Sequence, residues 1–198
     1  MVLAVTLGGV LLSVYSMGNS PHVGIVGDSI TYDSEAAITN TLSPTYDVDV
    51  NGAPGYTIGD QLPAIEAMKN YGSPPPRDWI FNLGTDDAIQ AGYGHATGWE
   101  TGLALALQLM NYNSSCVILV AVGLNADSFD GGSGTVAVQI NAALQQAAAA
   151  NPAKVKIIDW ASLVAQNPDW LQPDGIHPNA LGQQELANWY RVALQSCP

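Results

Sequence analysis

The sequence predicts an α/β domain: a five-stranded parallel sheet between two layers of helices, a three-layer α/β/α sandwich. Three observations lead there. Apolar, β-branched runs alternate along the chain with stretches whose apolar residues fall at helical spacing. The strongest of these runs are apolar at consecutive positions, as in strands covered on both faces. The 198 residues suffice for one such domain with a sizeable core.

The first strand is read in Val23, Ile25 and Val26, before a turn at Gly27. Tyr46 to Val50 alternates polar and apolar, as an edge strand does. After a turn at Gly52-Ala53-Pro54-Gly55, a helix carries Ile58, Leu62, Ile65 and Met68 on one face. It is expected to become regular near Asp60, leaving Pro63 in its first turn. Tyr71 to Arg77 is a loop and Asp78 to Gly84 the third strand. Thr85 to Thr97 is expected as an irregular loop, and Thr97-Gly98-Trp99-Glu100 as a capping box opening a helix through Leu103, Leu107 and Met110. Cys116 to Val122 is a central strand and Asn125 to Gly134 a loop. A helix through Val136, Ile140 and Leu144 stops at Asn151-Pro152. Val155 to Trp160 is the fifth strand, and a last helix, capped by Asn179, carries Leu186, Tyr190 and Leu194. Right-handed crossovers put helices on both faces. Strand order 2-1-3-4-5 follows by analogy with flavodoxin-like sheets.

Composition narrows the partners. Five basic against 17 acidic residues give a formal charge of −12, which repels phosphate backbones and anionic lipid heads, so nucleic acid is not an expected partner. Only 11% of residues are charged; with few lysines and two cysteines, this leans towards a secreted, extracellular protein. Residues 1–18 form an apolar segment too short to span a bilayer. Its length suits the hydrophobic region of a signal peptide, with Val14-Tyr15-Ser16 as a cleavage site, although no Lys or Arg precedes it. The alternative is an N-terminal helix packed on the domain. Residues 19–198 make up the single domain.

In a parallel sheet the segments that follow the strands gather at one edge, where ligands bind. Here they bring Asp28-Ser29, Gly55, Gly84-Thr85-Asp86-Asp87, Leu124-Asn125 and Asp174-Gly175-Ile176-His177-Pro178 together. That set holds a nucleophile, a base, an orienting acid and oxyanion donors. Ser29 would attack a carbonyl carbon, and His177 would take its proton and return it to the leaving alkoxide. Asp174 would bond the other imidazole nitrogen. Backbone N–H groups of Ser29 and Gly55 would face the oxyanion. Each residue also has a plain reading: Ser29 as a turn residue, His177 as a surface residue, Gly55 as a positive-φ position, Asp174 as the start of an Asx turn. No His/Cys spacing suits zinc, and Ser29 lacks the following glycine of a nucleophile elbow.

From Val23 to Leu194 this pattern resembles the GDSL or SGNH hydrolases. Gly27-Asp28-Ser29-Ile30 is similar to their nucleophile block, Asn51-Gly52-Ala53-Pro54-Gly55 to the block with the oxyanion glycine, Gly84-Thr85-Asp86-Asp87 to the Gly-x-Asn-Asp block, and Asp174-Gly175-Ile176-His177 to the Asp-x-x-His block. The resemblance implies an SGNH-hydrolase fold and ester hydrolysis through a serine acyl-enzyme, without metal or organic cofactor. It also implies an oxyanion hole built from Ser29, Gly55 and position 86. There the chain departs from the family, with Asp86 where the family has a donating asparagine. A carboxylate has no proton to donate. The expected function is a secreted serine esterase acting on small or carbohydrate-linked acyl esters. The alternatives are a lipase or lysophospholipase of the same family, and a weak pseudoenzyme that binds acylated glycans.

Cys116 starts the fourth strand and Cys197 ends the last helix, which runs antiparallel to the strands. Both therefore fall at the sheet edge opposite Ser29, where a disulfide is expected; two buried free thiols are the alternative.

Overall fold

A computed structural model describes residues 20–72, 74–124 and 133–198. The expected N-terminal segment over residues 1–18 lies outside the described residues, as do residues 125–132 of the loop expected from Asn125 to Gly134.

The elements run β1 (His22–Gly27), α1 (Ser29–Leu42), β2 (Asp47–Gly52), α2 (Ile58–Tyr71), β3 (Asp78–Asn82), α3 (Thr85–Gly92), α4 (Trp99–Asn111), β4 (Cys116–Val120), α5 (Ser133–Ala150), β5 (Val155–Ile158), α6 (Trp160–Gln166) and α7 (Ala180–Gln195). The five strands pair in parallel in the order β2-β1-β3-β4-β5. Strands β1, β3 and β4 are buried throughout, whereas β2, at the edge, alternates exposed and half-buried residues. The period of two sends neighbouring residues to opposite cores. Val26, Trp79, Phe81, Val117 and Leu119 pack on one face with Ile65, Leu103, Ile140 and Leu144. Val23, Ile25, Ile80, Ile118 and Val120 pack on the other with Ile38, Trp160, Leu186 and Tyr190. Helices α2 to α5 thus cover one face and α1, α6 and α7 the other.

Four local expectations are corrected. Thr85 to Gly92 is helix α3, not loop: Gly84 enters it at φ 118°, a conformation open to glycine, and Ala88 is buried. Thr97 and Glu100 form no capping box, because α4 starts from Gly98 in the left-handed region without a side-chain cap. Helix α2 starts at Ile58 rather than near Asp60, and a capping box is found there instead, between Thr57 and Asp60. Pro63 therefore sits inside the helix and removes one helical hydrogen bond. Finally, β5 stops at Ile158, and Asp159 caps α6 by accepting a 3.1 Å bond from the Ser162 N–H.

Cys116 and Cys197 are joined, with Cα atoms 5.7 Å apart and a sequence separation of 81. A loop of that length contributes roughly 4–5 kcal/mol in the chain-entropy description. Cys197→Ser should therefore unfold at clearly lower urea concentration than the wild type under non-reducing conditions. The two midpoints should converge in excess dithiothreitol; equal midpoints without reductant would show that the bridge contributes nothing.

Candidate active site

The site begins at the junction of β1 and α1. A Cβ on Gly27 would lie 1.8 Å from the Thr31 hydroxyl oxygen, so only glycine lets the first turn of α1 close against the strand end. Asp28 caps that helix: its Oδ1 accepts a 3.0 Å bond from the Ile30 N–H. Ser29 is the first helical residue, and its N–H is one of the helix-terminal donors without an intrahelical partner. Sheet register places Gly52 and Asn82 on either side of Gly27. The segments leaving β2 and β3 therefore flank the Asp28-Ser29 corner. Gln61, on α2, fixes one flank by donating to the Gly27 carbonyl at 2.7 Å and the Asn51 carbonyl at 3.2 Å. On that flank Ala53 donates to the Gly27 carbonyl, Tyr56 donates to the Ala53 carbonyl, and Gly55 turns at φ 79°.

His177 arrives from far along the chain, on a short hairpin between α6 and α7. Leu171 and Pro178 form an antiparallel bridge, and the Gln172 N–H donates to the His177 carbonyl at 2.8 Å. Asn179 holds both ends of this hairpin. Its Oδ1 accepts from Leu181 and Gly182 as the α7 cap, while its Nδ2 donates to the Asp169 and Leu171 carbonyls. Trp170, beside the hairpin, stacks on Trp160 with ring centroids 5.9 Å apart. So held, His177 Nε2 lies 2.9 Å from Ser29 Oγ and His177 Nδ1 lies 2.8 Å from Asp174 Oδ2. An ionised carboxylate only accepts, so Nδ1 carries the proton and neutral Nε2 is left to accept from the Ser29 hydroxyl. Asp174 Oδ1 also accepts from the Ile176 and His177 N–H groups. Partial desolvation works against its ionisation, but these donors and the imidazole outweigh it and hold the carboxyl below its usual value.

Three further carboxyl groups crowd the same corner, and all are buried: Asp28, Asp86 and Asp87. Asp87 Oδ2 accepts from the Ile58 N–H at 2.8 Å, tying α3 to the start of α2. Burial nevertheless raises its pKa, against the Ile58 N–H and the Thr97 hydroxyl, which lower it. Burial, then the charge of Asp87, pushes Asp86 up to about 6, with His177 opposing and Asp60 adding. Burial, then Asp86, pushes Asp28 up to about 7 against the Ile30 N–H, the Thr85 hydroxyl and His177. The N-terminus of α3 favours negative charge by about 0.3–1 kcal/mol, less than the several kcal/mol that burying an unpaired carboxylate costs.

The structure thus brings Ser29, His177 and Asp174 into one hydrogen-bonded chain, with His177 and Asp86 within electrostatic reach of each other. Gly55 lies on the neighbouring turn, and Cys116 and Cys197 belong to the bridge described above. Sequence reasoning missed Gln61 and Asn179 as positioning residues and Asp28 as a buried acid. Asp28 had a visible signal as the residue before a helix; Gln61 had none, because a polar residue at that helix position reads as exposed.

Comparisons with known proteins agree with this geometry. A family model for the GDSL-like lipase/acylhydrolase family matches residues 25–185, from β1 into α7. A Bacillus subtilis (strain 168) protein, provisionally named peptidoglycan O-acetyltransferase YrhL, is 23% identical over 171 residues; the match covers 86% of this chain but only 23% of that protein. The C-terminal catalytic domain of Streptococcus pneumoniae peptidoglycan O-acetyltransferase A superposes with a TM-score of 0.72 at 15% identity, covering 91% of this chain and 98% of that one. A catalytic mutant of Axe2, an acetylxylan esterase from Geobacillus stearothermophilus, gives 0.69 at 14% identity, covering 88% and 94%. At these identities the structural likeness is one of fold.

The buried acids carry a stability consequence. A carboxyl with a raised native pKa contributes stability that is fully present below its unfolded value near 3.8 and is lost as pH rises through about 7. Asp28→Asn keeps a capping side chain and removes the charge. Its melting temperature should exceed that of the wild type by roughly 5 °C at pH 8 and match it near pH 4. An unchanged melting temperature at pH 8 would mean that Asp28 is not an uncompensated charge.

Proposed function

The chain belongs to the GDSL-like lipase/acylhydrolase family, and we propose that it is a serine esterase that cleaves small or carbohydrate-linked acyl esters through an acyl-enzyme on Ser29. The single observation that carries this reading is the chain Asp174–His177–Ser29, with contacts of 2.8 and 2.9 Å between groups as far as 148 residues apart. Ser29 Oγ attacks the ester carbonyl carbon as His177 Nε2 takes its proton. The carbonyl oxygen becomes an oxyanion facing the N–H groups of Ser29 and Gly55. Collapse of this intermediate breaks the bond to the alkoxy group, which leaves with the proton from His177. Water then attacks the acyl-Ser29 ester, giving up a proton to His177, and the second collapse frees the carboxylic acid and restores Ser29. Asp174 keeps Nδ1 protonated throughout and stabilises the imidazolium.

The hollow lined by Ile30, Thr85, Trp160, Leu171 and Ile176 among others holds only about 10 Å³, too little for an acyl group. A longer apolar groove along β5, with Leu163, Trp189 and Val192, contains none of the three side chains. The disulfide and the −12 charge support an oxidising, extracellular setting and no nucleic-acid partner. Among the described residues no helix is long and apolar enough to cross a membrane.

A second reading concerns the acyl acceptor. Both a relative and a structural neighbour carry peptidoglycan O-acetyltransferase names. The same acyl-Ser29 ester yields transfer when a sugar hydroxyl replaces water in the second half-reaction. Product analysis with p-nitrophenyl acetate, with and without an oligosaccharide acceptor, separates the two.

Ser29→Ala and His177→Ala should each lower kcat on p-nitrophenyl acetate by about 10⁴-fold or more, and Asp174→Asn by less. A fluorophosphonate probe should label the wild type on Ser29 only. Activity of the Ser29 variant equal to wild type, with purity established, would remove the proposed nucleophile.

A further inference from the structure

Three buried carboxyl groups share the corner that holds Ser29, and their oxygen atoms are poorly paired. Asp28 is fully buried and Asp86 is 9% exposed. The Oδ2 atoms of both, and Oδ1 of Asp87, have no hydrogen-bond partner. The charged groups around Asp86 come from four directions. Asp28 stands at the β1–α1 junction, Asp60 on α2, Asp87 on α3 itself, and His177 on the hairpin before α7. Only His177 can become cationic, and a catalytic base must be neutral. No lysine or arginine is among the charges acting on Asp28, Asp86 or Asp87. The described residues contain no group of three His, Cys, Asp or Glu side chains placed to hold a metal ion. Three ionised carboxylates buried together without a cation would each lack compensation that costs several kcal/mol to forgo. The remaining solution is that the cluster keeps protons.

We propose that Asp86 works as a neutral carboxylic acid that donates a hydrogen bond to the oxyanion formed on Ser29, so that the site loses turnover as Asp86 ionises. This rests on the reading of Ser29 as nucleophile. Of the three acids Asp86 is the one able to play this part. Asp28 is sealed from solvent and engaged as the α1 cap, and Asp87 is committed to the Ile58 N–H. Asp86 caps no helix, its Oδ2 is buried without a partner while the residue as a whole is 9% exposed, and its charge is felt by His177. A protonated carboxyl is one O–H donor; an ionised one is acceptor only and repels the oxyanion. The sign follows from the raised value near 6: the donating form prevails below it and falls about tenfold for each pH unit above it. Turnover then falls as Asp86 gives up its proton.

Asp86→Asn supplies a donor that needs no proton. The test compares kcat on p-nitrophenyl acetate for the wild type and Asp86→Asn from pH 5 to pH 8. The ratio of variant to wild type should rise by about tenfold or more across that range. Asp86→Ala should stay below the wild type at pH 5. A ratio that does not move with pH, or a folded Asp86→Asn that is slower than wild type at pH 8, overturns the proposal. Carboxyl ¹³C NMR of aspartate-labelled wild type provides a readout independent of activity. One resonance, assigned to Asp86 by its loss in either variant, should titrate near pH 6; titration near 4 overturns the proposal as well. The Ser29→Ala variant in the same assay keeps the two ideas apart. If it remains active the nucleophile is wrong, whereas the NMR titration still decides whether Asp86 holds its proton.

Discussion

The close contact at Gly27 is what the rest of the site depends on. The backbone there must turn from strand into helix while the Thr31 hydroxyl lies where a Cβ would stand. Because the turn is that tight, Ser29 emerges at the very end of β1, between the segments that follow β2 and β3. Thr31 in turn accepts a 3.3 Å bond from Asn82, locking the helix start to the neighbouring strand. A larger residue at position 27 would push α1 outward and carry the hydroxyl away from His177. Packing in the first turn of one helix thus sets the reach of a contact with a residue 148 positions distant.

The same corner concentrates negative charge in a protein already rich in it. Asp28 and Asp87 each perform a structural task, one capping α1 and the other holding α2 to α3. Their carboxyl groups are therefore buried for reasons of architecture, and Asp86 acquires its environment from them. Electrostatics here opposes maximal stability at alkaline pH. A fold that tolerates the conflict retains acids whose protonation lies within reach of neutral pH, a property associated with functional sites.

Much of this was legible in the sequence. The five strands and the gathering of Ser29, Asp174 and His177 at one sheet edge follow from apolar runs and from the geometry of parallel sheets, and the strand order from the analogy with flavodoxin-like sheets. What escaped was set by tertiary contact. Helix α3 is only eight residues long and opens on two adjacent aspartates, and it forms where Gly84 turns the chain and Asp87 is bonded to Ile58 from another helix. Thr97 and Glu100 match a capping pattern, but Gly98 starts the helix one residue later and Thr97 faces Asp87. The hairpin that presents His177 is held by Asn179 through carbonyl groups up to ten residues away, which no local motif announces.

Helix α7 is fastened at both ends. Asn179 ties its N-terminus to the His177 hairpin, and Cys197 ties the chain just past its C-terminus to the start of β4. Its 16 residues make a rod about 24 Å long, with the bridge at one end and the imidazole at the other. Sliding such a rod by one residue would move its tip about 1.5 Å, half the length of the Ser29–His177 contact. The covalent tie at the far edge therefore acts as an anchor bolt for the His177 hairpin. Through it, a bond closed on one side of the sheet is registered as the distance between His177 and Ser29 on the other.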